Sequence, residues 1–249
     1  MADTPNVRLS LPGSAENVLV VRQALTGVAA SLGLDPIETN DLNTAVTEAC
    51  NNVVMHAYGG EEGPLEVDVS ALPGAIAVVV RDRGGGIRPR EPEPDDAHAG
   101  MGIPVIRALT RHAELVDRAG GGTEVRMEFD VPKARALEPV DGSGRASAAI
   151  RDSPSGTIEL QLAPNAVARA VLPRVLSALA ARAYFSTDRI ADVQLLADEL
   201  ATGAGESFSG TQLDVGVTIA PRSLELRVGP LHAGGTLELS LVDERADSR

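Results

Sequence analysis

Aromatic side chains are almost missing from this chain, which has three Phe, two Tyr and no Trp in 249 residues. Its core must therefore be packed from Val, Leu, Ile and Ala. Cations are scarce as well. The formal net charge is −13, which argues against a broad phosphate-backbone surface, since such a surface needs clustered Lys and Arg and usually stacking aromatics. No direct nucleic-acid contact is expected. Lys133 is the only lysine, so a phosphate loop built on a Gly-Lys pair is excluded. Cys50 is the only cysteine, which excludes an internal disulfide and a cysteine-based zinc site. No apolar run reaches membrane-spanning length, and none of signal-peptide type opens the chain. The expectation is a cytoplasmic protein with no membrane contact.

What is present is ordinary globular material, 43% hydrophobic and 23% charged, with length for one large or two small domains. The most informative stretch is Asp41 to Tyr58, DLNTAVTEACNNVVMHAY, which reads as one amphipathic helix with two stripes. Leu42, Ala45, Val46, Ala49, Cys50, Val53 and Val54 have the spacing of a buried face. Glu48, Asn52 and His56 follow at successive i, i+4 positions, so a carboxylate, an amide and an imidazole are expected along one side. A core helix needs no such polar ladder, whereas a nucleotide site must hold a metal ion and orient a hydroxyl beside it.

Upstream, Val7 to Leu11 alternates like a strand, and Ser14 caps a helix that ends at Gly33. Asp35-Pro36-Ile37-Glu38 is a strong start for the long helix, and Gly59-Gly60 stops it. Two strands, Leu65 to Ala71 and Ile76 to Arg81, turn at Pro73-Gly74. Arg83 to Ala99 reads as a mobile loop, Gly102 to Leu109 as a helix, and Leu115-Val116 and Val125 to Val131 as strands.

Residues 134–156 have linker composition, dividing the chain into 1–133 and 157–249. Behind the linker the pattern returns. Leu9, Leu11, Leu25, Asp41 and Glu48 match Leu160, Leu162, Leu176, Asp192 and Glu199, all at the offset of 151 that separates Asp41 from Asp192. The hairpin returns at 148, as from Pro73 to Pro221, and Gly121-Gly122-Thr123 returns as Gly234-Gly235-Thr236 at 113. The second copy is thus expected to lack about 35 residues, which in the first hold the loop and the helix after it.

Three further segments carry chemistry. Val78 to Arg81 is a buried strand running into Asp82-Arg83-Gly84-Gly85-Gly86, where a carboxylate at a strand end accepts from an exocyclic amine while glycine backbone closes over a base. Pro89 stands where a dinucleotide fingerprint would need its third glycine. Gly100-Met101-Gly102 precedes a helix, whose bare N–H groups and dipole favour phosphate. Thr123 enters a strand with its hydroxyl available to a base or a water.

In order and spacing these segments resemble the GHKL (Bergerat) ATP-binding fold of histidine kinases, gyrase and MutL, and most closely its anti-sigma-factor serine/threonine kinase branch. The resemblance rests on Glu48-Ala49-Cys50-Asn51-Asn52 with His56-Ala57-Tyr58, on Asp82 to Gly86, on Gly100-Met101-Gly102 and on Gly122-Thr123. It covers Val7 to Val131. It implies an α/β fold, a two-layer α+β sandwich, here tandemly duplicated with a truncated second copy. It implies ATP and Mg²⁺ as cofactors, with Asn52 as metal ligand and Glu48 as general base toward a protein serine. Asp82 would bond the adenine amine, with Gly84 and Gly86 admitting the backbone. Gly100, Met101 and Gly102 would meet the phosphates behind a flexible lid, and Thr123 would support the base.

In the second copy Glu199 persists, but Gly203 stands at the Asn52 position, Ser207 at His56 and Pro230 at Asp82, so no ATP binding is expected there. Pro173 falls inside its first helix, where a kink is expected. By the same resemblance the partners are a sigma factor, an anti-anti-sigma protein of STAS type, or both. The assembly is either a homodimer or a pseudo-dimer within one chain. A non-catalytic, ATP-gated protein-binding module is the alternative.

Overall fold

In the computed structural model, the described residues are 4–86, 102–131, 157–164, 166–209 and 211–244. The amino-terminal half runs β1 (Val7–Pro12), α1 (Ala15–Leu32), α2 (Pro36–Asn52), a π-helical turn (Val53–Ala57), β2 (Pro64–Leu72), β3 (Ala75–Asp82), α3 (Gly102–Leu109), β4 (His112–Asp117) and β5 (Thr123–Asp130). The carboxy-terminal half runs β6 (Thr157–Leu162), α4 (Ala166–Arg182), α5 (Thr187–Thr202), a short α6 (Ala204–Ser207), β7 (Leu213–Ala220), β8 (Ser223–Gly229) and β9 (Leu237–Val242). The proposed linker and residues 87–101 lie outside the described residues.

The nine strands among the described residues form one antiparallel sheet in the order β4-β5-β3-β2-β1-β6-β7-β8-β9. Alternate residues such as Val7, Leu9 and Leu11, Leu65, Val67 and Val69, or Leu213, Val215 and Val217 are buried and join the helices in one hydrophobic cluster. The expected two-layer architecture follows: each strand hides one face, and the helices cover it. The other face is charged. Asp68 pairs with Arg8 and Arg81, and Arg81 also reaches Glu66 and Glu124, at 2.6–2.7 Å.

The two halves meet at β1 and β6. Leu9 pairs with Leu160, its counterpart at the 151-residue offset, and the flanking pairs are Arg8 with Gln161 and Ser10 with Glu159. A strand position paired with its own counterpart marks a pseudo-two-fold axis. The repetition extends to backbone detail. Helix α1 ends on Gly33 (φ 74°), with bonds from Gly33 N to Ala30 O and Leu34 N to Ala29 O. Helix α4 ends on Tyr184 (φ 62°), with Tyr184 N bonded to Ala181 O and Phe185 N to Ala180 O, again at offset 151. The β2–β3 turn places Gly74 at φ 76°, and the β7–β8 turn places Arg222 at φ 59°, at offset 148. Glycine adopts this left-handed backbone freely, while Tyr and Arg hold it at a cost of about 1–2 kcal/mol each.

Several expectations need correction. Ser14 is the N-cap of α1 but its side chain makes no capping bond; its carbonyl accepts from Asn17 N and Val18 N, and the Asn17 amide folds back to Pro12 O at 2.7 Å. Pro173, where a kink is expected, lies buried within α4, which runs unbroken from Ala166 to Arg182. The final strand is offset by 112, as from Val125 to Leu237, which pair with Val80 and Val228 respectively. The Gly-Gly-Thr match at 113 is therefore one residue out of register with the ladder. Residues 230–236 alone join β8 to β9, so no helix corresponds to α3.

Helices α1 and α4 cross at Gly27, where an added Cβ would stand 2.7 Å from Ala170 O and 2.8 Å from the Val171 Cα. Backbone atoms cannot yield as a flexible side chain would. Gly27→Val is expected to destabilise the chain by about 1–3 kcal/mol, measured as a lower urea midpoint with an unchanged m-value. An unchanged midpoint would contradict this crossing.

Candidate functional site

The site is assembled at one end of β2 and β3. Helix α2 begins with a complete capping box: the Asp35 carboxylate accepts from Ile37 N and Glu38 N, and Glu38 accepts from Asp35 N at 2.8 Å. Its apolar stripe, Leu42 through Val53, is buried as expected, with Val54 half-buried. Glu48 and Asn52, one turn apart, are half-buried on another side. Opposite them stands Gly102, the first residue of α3. A Cβ there would lie 3.3 Å from both Asn52 Oδ1 and Glu48 Oε2 and 3.4 Å from Asn52 Nδ2.

Three expected site residues are thus brought together, in a gap that any side chain at 102 would fill. An acceptor-only carboxylate, an amide oxygen and the start of a helix share that gap. Such a set suits proton removal, a hard cation and an anion respectively. Gly100 and Met101 lie outside the described residues. His56 does not extend the ladder: the chain switches to π-helical winding over Val53–Ala57, so the i, i+4 line breaks after Asn52 and His56 is exposed.

At the other end, Asp82 closes β3 with only 3% of its surface exposed. Its Oδ1 accepts Gly84 N–H at 2.7 Å. Burial raises its pKa above the ordinary carboxylate value, opposed by the Gly84 and Thr123 N–H groups, the Arg118 charge and the Thr123 hydroxyl. Two glycines let backbone close around it. A Cβ at Gly84 would collide with the Ala57 carbonyl, and one at Gly122 with the Asp82 carbonyl. Gly86 has φ 73°, and a Cβ there would approach Asp117 Oδ1 to 3.1 Å. Asp82, Gly84, Gly86 and Thr123 are therefore gathered as expected. A cavity of about 530 Å³ between α1, α4 and α5, bordered by Arg169, Arg174 and Asp198, shares no residue with this site.

A family model described as the histidine kinase-like ATPase domain matches residues 11–129. The serine-protein kinase RsbW of Bacillus pumilus is 30% identical over 136 residues, which span 49% of this chain and 83% of the relative. The chain belongs to the histidine kinase-like ATPase family. Within it, the chain falls in the serine-kinase branch that RsbW represents. RsbW of Oceanobacillus iheyensis is 29% identical over 133 residues, covering 48% of this chain and 84% of that protein. A crystal structure of RsbU and RsbW domains from Mycobacterium tuberculosis aligns at a TM-score of 0.39 and 21% identity, over 50% of this chain and 31% of that one. As a member of a family of ATPases, the chain has ATP as its nucleotide. No helix among the described residues is long and apolar enough to cross a membrane.

Some contributors carried no signal that sequence reasoning used. Arg118 Nη1 donates to the Asp82 carbonyl at 3.2 Å, and its own N–H is bonded to Gly122 O at 3.1 Å. The Ala57 carbonyl accepts from Gly85 N at 3.0 Å.

Because burial raises the Asp82 pKa, ionising this group opposes folding. Wild-type stability is expected to fall as pH rises from the ordinary carboxylate value to the raised one. Asp82→Asn should lack that decline, while weakening ATP binding by about tenfold or more, as for a lost bond to a charged group. Urea unfolding across pH, with calorimetric titration of ATP, checks both; a steeper decline in the variant would refute the burial argument.

Proposed function

We propose that this chain is an ATP-dependent serine/threonine protein kinase acting as an anti-sigma regulatory factor. It would phosphorylate a STAS-type anti-anti-sigma partner and sequester a sigma factor. The observation that carries the reading is the meeting of Glu48, Asn52 and Gly102 across a gap that a single Cβ would close. The RsbW likeness supports the choice of a protein serine as acceptor.

The residues suit Mg-ATP at both ends. Asn52 Oδ1 would hold the ion, and the missing side chain at Gly102 leaves the Asn52 and Glu48 oxygens unobstructed on that side. Among the described residues no group of three or more His, Cys, Asp or Glu side chains could hold a metal. Mg²⁺ retains several waters and borrows substrate phosphate oxygens, so it needs few ligands from the protein itself. Bound Mg-ATP would supply the transferable phosphoryl group and charge neutralisation. Glu48 would take the proton from the acceptor hydroxyl as general base. Asp82 would accept from the adenine amine, which its burial favours because few competing waters reach it. Thr123 would hold the Asp82 carboxylate in place.

For the carboxy-terminal half we propose a degenerate copy that takes the place of a second subunit. The Leu9–Leu160 pairing and the matched left-handed corners at Gly33 and Tyr184 support this. Without a counterpart of α3, Glu199 is exposed and faces no phosphate-binding helix, so this copy binds no ATP. Light scattering should find a monomer in solution; a homodimer assembled through β1 and α1 would refute the proposal, since β6 and α4 already occupy them.

Glu48→Gln is expected to reduce transfer of labelled phosphate to a serine-bearing partner by about 100-fold or more while sparing ATP affinity. Asn52→Ala should weaken Mg-ATP binding itself. ATP binding by the wild type without any phosphoryl transfer would select the non-catalytic, ATP-gated module instead.

A further inference from the structure

The helix that bears Glu48 and Asn52 and the loop that bears Asp82 and Gly84 are far apart in sequence, yet a nucleotide would have to touch both at once. Tyr58 stands where they join. It follows the π-helical turn directly, and its side chain points back between two strands. Its hydroxyl donates to Pro64 O at 2.5 Å, at the start of β2, and accepts Arg83 N–H at 2.8 Å, just past the end of β3. The ring occupies the space that a Cβ at residue 63 would need, which explains Gly63. Beside it, Gly85 N donates to Ala57 O, and Gly84 lies against the same carbonyl. The end of the α2 segment is thereby tied to the glycine loop on two consecutive residues, Ala57 and Tyr58. The Tyr58 link runs through a single oxygen atom.

On the reading that this pocket binds Mg-ATP, we infer that Tyr58 is a positioning residue that sets the base-reading loop of Asp82 and Gly84 against the helix of Glu48 and Asn52. It touches neither phosphate nor metal in this scheme. It acts on the base end, because its acceptor role is toward Arg83 N–H, the residue between Asp82 and Gly84. Removing the hydroxyl leaves Arg83 N–H without this acceptor while retaining the ring that fills the slot beside Gly63. The loop is then free to shift relative to the helix, and the Asp82 carboxylate loses its fixed relation to the phosphate end.

Tyr58→Phe tests this, using the full chain and calorimetric titration with Mg-ATP and Mg-ITP, whose base carries an exocyclic carbonyl oxygen in place of the amine. The expected result is an ATP affinity about three- to tenfold lower, the range of one hydrogen bond, with ITP affinity unchanged, so that discrimination between the bases falls. Equal losses for both nucleotides would assign Tyr58 a purely structural role and overturn the inference, as would no loss for either. Wild-type protein that binds no Mg-ATP would sink the underlying nucleotide reading and the inference with it. Should circular dichroism show that the variant is unfolded, amide exchange in the wild type decides the matter. Slower exchange at Arg83 on ATP binding supports the latch, and an unchanged rate refutes it.

Discussion

Leu9 and Leu160 face each other across the β1–β6 pair, and the relation between the two halves follows from that contact. Antiparallel pairing of two corresponding strands turns two half-sheets into one and brings α1 and α4 together above the junction. Strand β1 is thereby an interior strand, with backbone groups paired on both sides. The edges left over are β4 and β9, whose sequences carry His112, Glu114 and Asp117 in one case and Glu238 in the other. Charged edges of this kind discourage further strand addition. The crossing of α1 over α4 then demands a residue without a side chain at 27, since the opposing atoms are main chain.

Close backbone approach is also how the nucleotide end is built. Gly84 rests on the Ala57 carbonyl, Gly122 on the Asp82 carbonyl, and Gly102 between Glu48 and Asn52. Each glycine lets one segment reach another that a methyl group would hold off. The outcome is a buried carboxylate surrounded by main-chain donors, an arrangement that costs folding energy when ionised. A carboxylate held at that cost beside glycine-lined backbone is a candidate functional group.

The halves share a backbone plan and differ in chemistry. Where the first half has Gly33 and Gly74, the second holds Tyr184 and Arg222 in the same left-handed conformation, with Tyr184 76% exposed. The ion pairs of the polar face are uneven too. Arg8, Arg81 and Arg126 link five strands of the first half through Asp68, Glu66, Glu124 and Glu114. Across β6 and β7, a hydrogen bond joins Gln161 to Asp214. Among the described residues no helix lies between β8 and β9, and Leu195 on α5 is 66% exposed.

Local rules made much of this legible in the sequence. The Asp35 capping box, the Gly33 stop, the β2–β3 hairpin and the bounds of α3 each depend on residues within a few positions of one another, and each was found where expected. The polar pair Glu48–Asn52 was equally readable, because α-helical spacing alone puts both on one side. The π-turn that displaces His56 was not, since nothing in Val53–Ala57 announces it. The one-residue slip of the last strand was hidden because matched glycines locate a turn but not a ladder. Tyr58 was part of the motif read from the sequence, but its hydrogen bonds, those of Arg118 and the joining of β1 to β6 belong to the tertiary structure. Tyr58 to Arg83 spans 25 positions, Arg118 to Asp82 spans 36, and β1 pairs with β6 across the whole first half; such contacts are decided by which faces must be buried together, a choice that no local pattern encodes.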